Sequence, residues 1–418
     1  MRLTLLAAIT AALLALWPAP ANAVSVSGRI SGSYYNHDDD ISEQDRSISR
    51  IKLRLDVDDF MPYDSSFHLR TITRSVSGHD YNSNLPGQRI EQAEFEMNGL
   101  GGFMDLHLGR MNIEDIFSTR VDGANVDFHL GKTFGFGLFG GQTPDPFSDQ
   151  INSSYSTYGG YLFNRGLGSR FSLGYVATAK GGEDSTYISG MYYSLSSASF
   201  NWMVDFRMDE DKANSEWRVT ESMLNMTYRP SKRTKVNLNY TEYRSIQLFE
   251  SMDYDASYDM QRSTRLSGDI YILKSTLLYA RFDGRMRDID NGTATLVTAG
   301  VRQDDMFGFM RMDFSYNGIS YFTTSSSRIN FMVGADLIRD LSGEIEITSI
   351  DTTQEGQSNS MSQFVFGASL DWWWKNFFVS AMLQYSNEKY LDVDAIYTNK
   401  ASDHFSTVVY YLNLGYKF

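Results

Sequence analysis

Cysteine is absent from the 418 residues. That excludes disulfides, thiolate metal sites, c-type haem attachment, cysteine nucleophiles and a lipid-anchored cysteine. Positive charge is in the minority: 37 Lys and Arg stand against 51 Asp and Glu, a formal charge of −14. An acidic balance argues against nucleic acid as a partner and for solubility or cation attraction. Beyond the first 23 residues, no stretch reaches the roughly 18 consecutive apolar residues of a membrane helix. There is no linker, no low-complexity tract and no helical module. The nucleophile-elbow pattern G-x-S-x-G is missing. No acidic run has the ligand spacing of an EF-hand loop.

What is present begins with a leader. Arg2 is a positive start, Leu3 to Trp17 an apolar run, and Ala21-Asn22-Ala23 a small-residue cleavage site. Residues 1–23 thus read as a secretory signal peptide, and 24–418 as the mature chain. Without Arg2 the balance is 36 basic against 51 acidic residues, a formal −15.

The mature chain alternates with a period of two, the period at which side chains point to opposite faces of a sheet. Backwards from the terminus, Phe418, Tyr416, Leu414, Leu412, Tyr410 and Val408 form an apolar and aromatic face. Lys417, Gly415, Asn413, Tyr411, Val409 and Thr407 form the other, which is mixed and partly polar. Near the start, Ile51, Leu53, Leu55 and Val57 alternate with Lys52, Arg54, Asp56 and Asp58. Further on, Phe95 and Met97 alternate with Glu94 and Glu96, and Met310, Met312 and Phe314 with Arg311 and Asp313. Aromatic residues make up 14% of the chain, yet its mean hydropathy is −0.34. Strands with lipid on one face and water on the other have this composition. A long strand left unpaired at a sheet edge invites aggregation, and pairing the last strand with the first removes the edge.

The last strand, with Phe418 at its end and Tyr416 and Tyr410 on the same face, resembles the C-terminal signature of Gram-negative outer-membrane β-barrels. The resemblance implies an assembly signal at Phe418 and Tyr416, read by the barrel-assembly machinery. It also implies an outer-membrane location, with membrane lipids and lipopolysaccharide as surroundings. The segment Leu108-Gly109-Arg110 to Val121-Asp122-Gly123 is similar to a strand–loop–strand unit of porin-like families, alginate-export barrels among them.

Turn residues divide the chain. Asn98 to Gly102, Arg165 to Gly168, Arg229-Pro230-Ser231 and Trp374-Lys375-Asn376 read as short turns. Longer polar stretches lie near 76–88, 111–120, 144–155, 247–261 and 388–403. Gly and Pro mark the breaks for backbone reasons. Short turns on the periplasmic side and longer extracellular loops are a barrel pattern. The expectation is an all-β fold: one transmembrane antiparallel up-and-down barrel of about 22 strands, within 18–22, without a plug domain.

Several short motifs fit within that frame. Gly135-Phe136-Gly137-Leu138-Phe139-Gly140 matches G-x-G-x-x-G, but a dinucleotide site needs it to close a strand and open a helix. Here it reads as a glycine-lined inner strand face. The histidines His37, His68, His79, His107, His129 and His404 show no ligand spacing and no local carboxylate partner, so no metal site and no cofactor is expected. The acidic loop residues Asp38 to Asp40, Glu183-Asp184, Asp253, Asp255 and Asp259 read as solvated charge. Candidate lumen-lining residues are Lys52, Arg54, Arg70, Arg74, Glu94, Glu96, Asp205, Arg207, Arg265, Asp269, Arg281, Asp283, Arg285, Arg311, Asp313, Glu344 and Glu346. Rings of one sign select ions of the other, whereas mixed signs pair and keep a wall hydrated. Trp372, Trp373, Trp374 and Phe377 read as part of an interfacial aromatic girdle.

These features imply a passive channel for small hydrophilic solutes, with no catalytic residues. The alternative is a barrel sheath enclosing a periplasmic or lumenal partner, such as a multihaem cytochrome, a lipoprotein or an exported polymer. That alternative rests on strand count, because 22-stranded outer-membrane transporters have a plugged lumen. A third reading, a barrel enzyme, finds no residue set to support it.

Overall fold

The computed structural model describes residues 24–39, 46–61, 63–78, 87–117, 119–145, 149–197, 199–212, 214–245, 248–249, 260–288, 291–321, 323–354, 360–391 and 404–418. The leader, His79, Asp40, Asp253, Asp255 and Asp259 lie outside the described residues.

The first half of the chain forms β1 (Ser25–Asp39), β2 (Arg46–Asp58), β3 (Ser65–Gly78), β4 (Gln88–Leu100), β5 (Met104–Ile113), β6 (Thr119–His129), β7 (Phe134–Gln142), β8 (Tyr155–Arg165), β9 (Ser169–Lys180), β10 (Glu183–Ser197) and β11 (Phe200–Asp211). The second half forms β12 (Glu216–Ser231), β13 (Thr234–Arg244), β14 (Met260–Tyr271), β15 (Thr276–Arg287), β16 (Thr293–Met306), β17 (Met310–Tyr321), β18 (Thr324–Ile338), β19 (Leu341–Gln354), β20 (Ser360–Trp374), β21 (Phe377–Leu391) and β22 (His404–Lys417). Each pairs antiparallel with its neighbour in sequence, and β1 pairs with β22. The expected closed barrel of 22 strands is therefore the observed fold. At the closure Ile30 faces Tyr416 and Tyr34 faces Leu412. The Gly28 N–H donates to the Phe418 carbonyl at 2.9 Å, and the Phe418 N–H returns the bond at 3.1 Å.

Register carries the alternation around the ring. Ile30, Ile51, Phe282, Phe314, Ile345, Phe364 and Leu412 stand exposed on one face. The charged residues of the same strands stand on the other. Strand-skipping contacts, such as Asp115 with Arg165 and Arg170, are made on the charged side, which is the concave one. The polar set therefore faces inward. The Gly-Phe-Gly-Leu-Phe-Gly stretch is the interior of β7. Gly135 and Gly137 lie on the inner face, where a Cβ would strike the Phe163 and Tyr161 rings at 2.4 and 2.2 Å. Glycine there lets the neighbouring strand's rings lie flat on the wall.

Among the described residues, the connections depart from the expected pattern in three places. The turn placed at Arg229-Pro230-Ser231 is instead the end of β12, which continues to Ser231. Its register shifts between Tyr228 and Ser231, and such an irregularity accommodates a residue with no N–H. The long polar stretch placed at 111–120 shrinks to residues 114–118, because β5 runs to Ile113 and β6 starts at Thr119. On the same side, Gly181 and Gly182 close β9 onto β10 with φ of +61° and +97°, as tight as any turn opposite.

An apolar cluster sits on the inner wall. Met111, Ile113, Ile116, Val121, Phe139, Tyr161, Phe163, Val176 and Tyr187 bury one another across β5 to β10. Burial of side chains of this size stabilises by about 1.5–3 kcal/mol each. The inner face is thus wet overall but not uniformly polar, a departure that alternation alone does not reveal.

Candidate functional site

The charged residues singled out from sequence, Glu94 and Glu96 apart, form three groups on the concave face. The first is basic. On β1 to β3, Arg29 faces Arg54, Arg54 faces Arg70, and Arg50 faces Arg74. Lys52 stands between them. Like charges directly opposite destabilise a sheet unless water or a counter-ion screens them. Arg54 reaches Asp56 at 2.7 Å.

The second group lies on β14 and β15, the latter eight strands from β1 by the shorter way round the ring. Asp283 is buried beneath three guanidiniums: Arg265 at 2.9 Å, Arg281 at 3.4 Å and Arg285 at 3.6 Å. One carboxylate against three cations leaves net positive charge facing the lumen. Asp269 faces Lys235 and Tyr279 in register. Asp313 accepts the Tyr279 hydroxyl at 2.7 Å and faces Arg302.

The remaining candidates are paired or partly buried. Arg311 binds Glu344 at 2.6 Å, and Arg328 binds Glu346 at 3.1 Å. Arg207 binds Asp209 at 2.6 Å and lies over the Tyr187 ring at 4.0 Å. Asp205 faces Met191 and Met223 in register.

A denser constellation, beyond the expectation from sequence, occupies β3 to β9. Asp115, on the 114–118 connection, is buried and accepts from Arg165 at 2.5 Å and Arg170 at 3.0 Å. Arg165 also reaches Asp127 at 2.8 Å, and Asp127 accepts the Tyr161 hydroxyl at 2.5 Å. Ile116 beside Asp115 is fully buried and presses on Gly174, where a Cβ would come within 2.1 Å of its Cγ2. The connection is therefore fastened to the inner wall by one ion-pair cluster and one apolar plug. Arg110 holds Asp122 through two 2.5 Å bonds and donates to the Asp149 carbonyl at 2.6 Å. Arg120 reaches the Asp149 carboxylate at 2.5 Å, so residues between β7 and β8 are fastened to the same wall.

Three histidines of the inner face have carboxylate partners, none of them local in sequence. His68 Nδ1 is 2.7 Å from Asp56, His107 Nδ1 is 3.0 Å from Glu94, and His129 Nε2 is 2.6 Å from Asp105. All three pairings join adjacent strands: β2 to β3, β4 to β5 and β5 to β6. Such partners lie 12 to 24 residues away in sequence. A search for local ligand spacing passes over them.

The aromatic group divides between faces. Trp372 and Trp374 stack at 6.3 Å on the outer face, Phe377 stacks on Trp374 at 6.1 Å, and Tyr416 lies 4.6 Å from Phe377. Tyr416 in turn stacks on Phe418 at 6.3 Å. Trp373 does not belong with them. It points inward, stacked on Phe378 at 5.2 Å, with the Lys417 ammonium 4.9 Å from its ring. Three consecutive aromatics in a strand cannot share a face, because neighbours alternate.

No family model and no curated sequence matches the chain. Among solved structures, the P pilus usher (PapC) translocation pore aligns with a TM-score of 0.52 at 10% identity, over 94% of this chain and 99% of that one. Pseudomonas aeruginosa OpdQ aligns at 0.48 and 8% identity, over 94% and 97%. Acinetobacter baumannii OccAB2 aligns at 0.47 and 11% identity, over 95% and 98%. What the chain shares with the usher pore is the fold, a closed antiparallel β-barrel.

Proposed function

We propose that the protein is an outer-membrane channel that passes small hydrophilic solutes passively. The observation that carries this reading is the opposition of the two faces. Outward side chains such as Ile51, Val297 and Phe364 are large, apolar and exposed around the ring. Inward ones are charged and of both signs. In water the outer face would be an aggregation hazard, and in a bilayer the inner face needs a hydrated lumen. Mature residues from 24 onward form the barrel after removal of a leader. Lipid and lipopolysaccharide surround it, and the Tyr416–Phe418 strand end serves the assembly machinery.

Movement follows the solute's own gradient. The wall replaces part of a solute's hydration by hydrogen bonds and fixed charge, and nothing in this requires a reacting group. The exposed guanidiniums on β1 to β3 and around Asp283 favour anionic groups locally. Purified protein in a planar bilayer tests the proposal. Steady ohmic current is expected. Absence of current, together with a protein that co-purifies in fixed ratio, would replace the channel by a sheath around a partner.

A further inference from the structure

We propose that His68, Glu94, Glu96 and His107 bind one divalent transition-metal ion, with Zn2+ as the reference cation. The four side chains come from three adjacent strands: the ligand atoms of Glu94, Glu96 and His107 all lie within 4.8 Å of one another on the inner wall, and His68 approaches this group from the next strand, beside Glu96. In register His68 faces Glu94 and Glu96 faces His107. The donor atoms nevertheless lean diagonally. His68 Nε2 is 3.6 Å from Glu96 Oε1. His107 Nδ1 is 3.0 Å from Glu94 Oε1 and 3.8 Å from Glu96 Oε1. A tetrahedral ion with bonds of about 2.0–2.1 Å sets its donors roughly 3.4 Å apart. The Glu94–His107, His68–Glu96 and Glu96–His107 separations lie on either side of that value, and closing His68 onto the other three ligands would complete the set.

The atoms not aimed inward are occupied. Gln92 donates to Glu94 Oε2 at 2.6 Å, and the Ser66 hydroxyl donates to Glu96 Oε2 at 3.3 Å. Both carboxylates thus keep Oε1 for the shared centre. Asp56 engages Nδ1 of His68 at 2.7 Å and sets the tautomer that leaves Nε2 a lone pair. A carboxylate behind a ligating histidine is the usual outer partner at such sites. His68 Nε2 also lies 3.1 Å from Ser66 Oγ, whose single proton can serve either Nε2 or Glu96, and an ion at the centre would leave that proton to Glu96.

Electrostatics favour a dication. Glu94 is buried and Glu96 half-buried, two residues apart on one face, so their charges repel in a partly dry setting. Arg165 and Arg170, which line the same cavity, are turned to Asp115 instead. Two imidazole nitrogens with two carboxylate oxygens suit Zn2+ and its first-row neighbours; Ca2+ and Mg2+ prefer all-oxygen sets. A cavity of about 280 Å³, lined in part by Glu94, Glu96 and His107, gives an ion a route in.

The test uses tag-free, chelator-stripped protein folded in detergent, titrated calorimetrically with ZnCl2 and, separately, CaCl2. One Zn2+ per chain is expected, with no competition from millimolar Ca2+. His107→Ala and Glu94→Gln should each weaken Zn2+ at least tenfold. Asp56→Asn, which alters no ligand, should weaken it about 10–100-fold. Co2+ in place of Zn2+ should give the intense visible bands of a four-coordinate site, lost in His68→Ala. Heat-modifiable gel migration verifies folding of each variant, and Asp56→Asn or His68→Ala carries the test if His107→Ala does not fold. Absence of stoichiometric Zn2+ uptake by the parent protein overturns the proposal. So does uptake that survives loss of both histidines, or displacement of Zn2+ by equimolar Ca2+.

Discussion

At the scale of single residues, the inner wall depends on a few side chains that act as fasteners. Asp115 is one. It is buried and receives two arginines, so removing its carboxylate takes the buried acceptor from both guanidiniums and leaves Arg165 only Asp127 and Arg170 only Glu114 among the described residues. Breaking a buried pair costs about 3–5 kcal/mol, and the lower end applies here because the arginines keep about a third of their surface exposed. Asp115→Ala should therefore lower the thermal midpoint of the barrel, read from heat-modifiable gel migration. It should also raise open-channel noise as the 114–118 connection comes loose. Gly174 is the second fastener. A side chain there meets Ile116, so Gly174→Val should expel the connection from the wall. Faster amide exchange over 114–117, with β22 unchanged, is the expected signature.

At the scale of elements, outer faces were legible because each strand repeats its choice every second residue. Phe95 with Met97, or Met310 to Phe314, leaves one arrangement in which Glu94, Arg311 and Asp313 avoid lipid. The same rule was hidden in Trp372-Trp373-Trp374, where three like residues show no alternation. The structure restores it, and a prediction follows. Brominated lipid should quench Trp372 and Trp374 but spare Trp373, and aqueous iodide should do the reverse. Single Trp→Phe substitutions at the three positions resolve the contributions, and equal quenching of all three would contradict the facing. Contacts between elements were less legible. His107 meets Glu94 because β4 and β5 pair with a register shift between Met97 and Leu100, and no residue in that turn announces the shift. Likewise Ile116 is one apolar residue in a short polar connection, and nothing local distinguishes a residue that folds inward from one in solvent.

At the scale of the whole molecule, the ring is uneven. From β5 to β10 the inner wall carries a packed cluster and two fastened connections, whereas β14 to β20 present mostly half-buried charged side chains to the lumen, with Arg285 and Arg311 exposed. On the proposed channel reading, a solute passes nearer the second arc, between the basic residues of β1 to β3 and the arginines around Asp283. Arg70→Glu reverses one exposed charge of that path and should shift the reversal potential in a salt gradient toward cation preference. Arg281→Glu should act in the same direction. The antiparallel closure of β1 on β22 carries one more consequence. Up-and-down neighbours alternate in direction, so a ring with an odd number of members would meet itself with two strands running the same way. Relatives of different girth should therefore differ by whole hairpins, and a chain that gained a lone strand could close only by giving up the reciprocal bonds between Gly28 and Phe418.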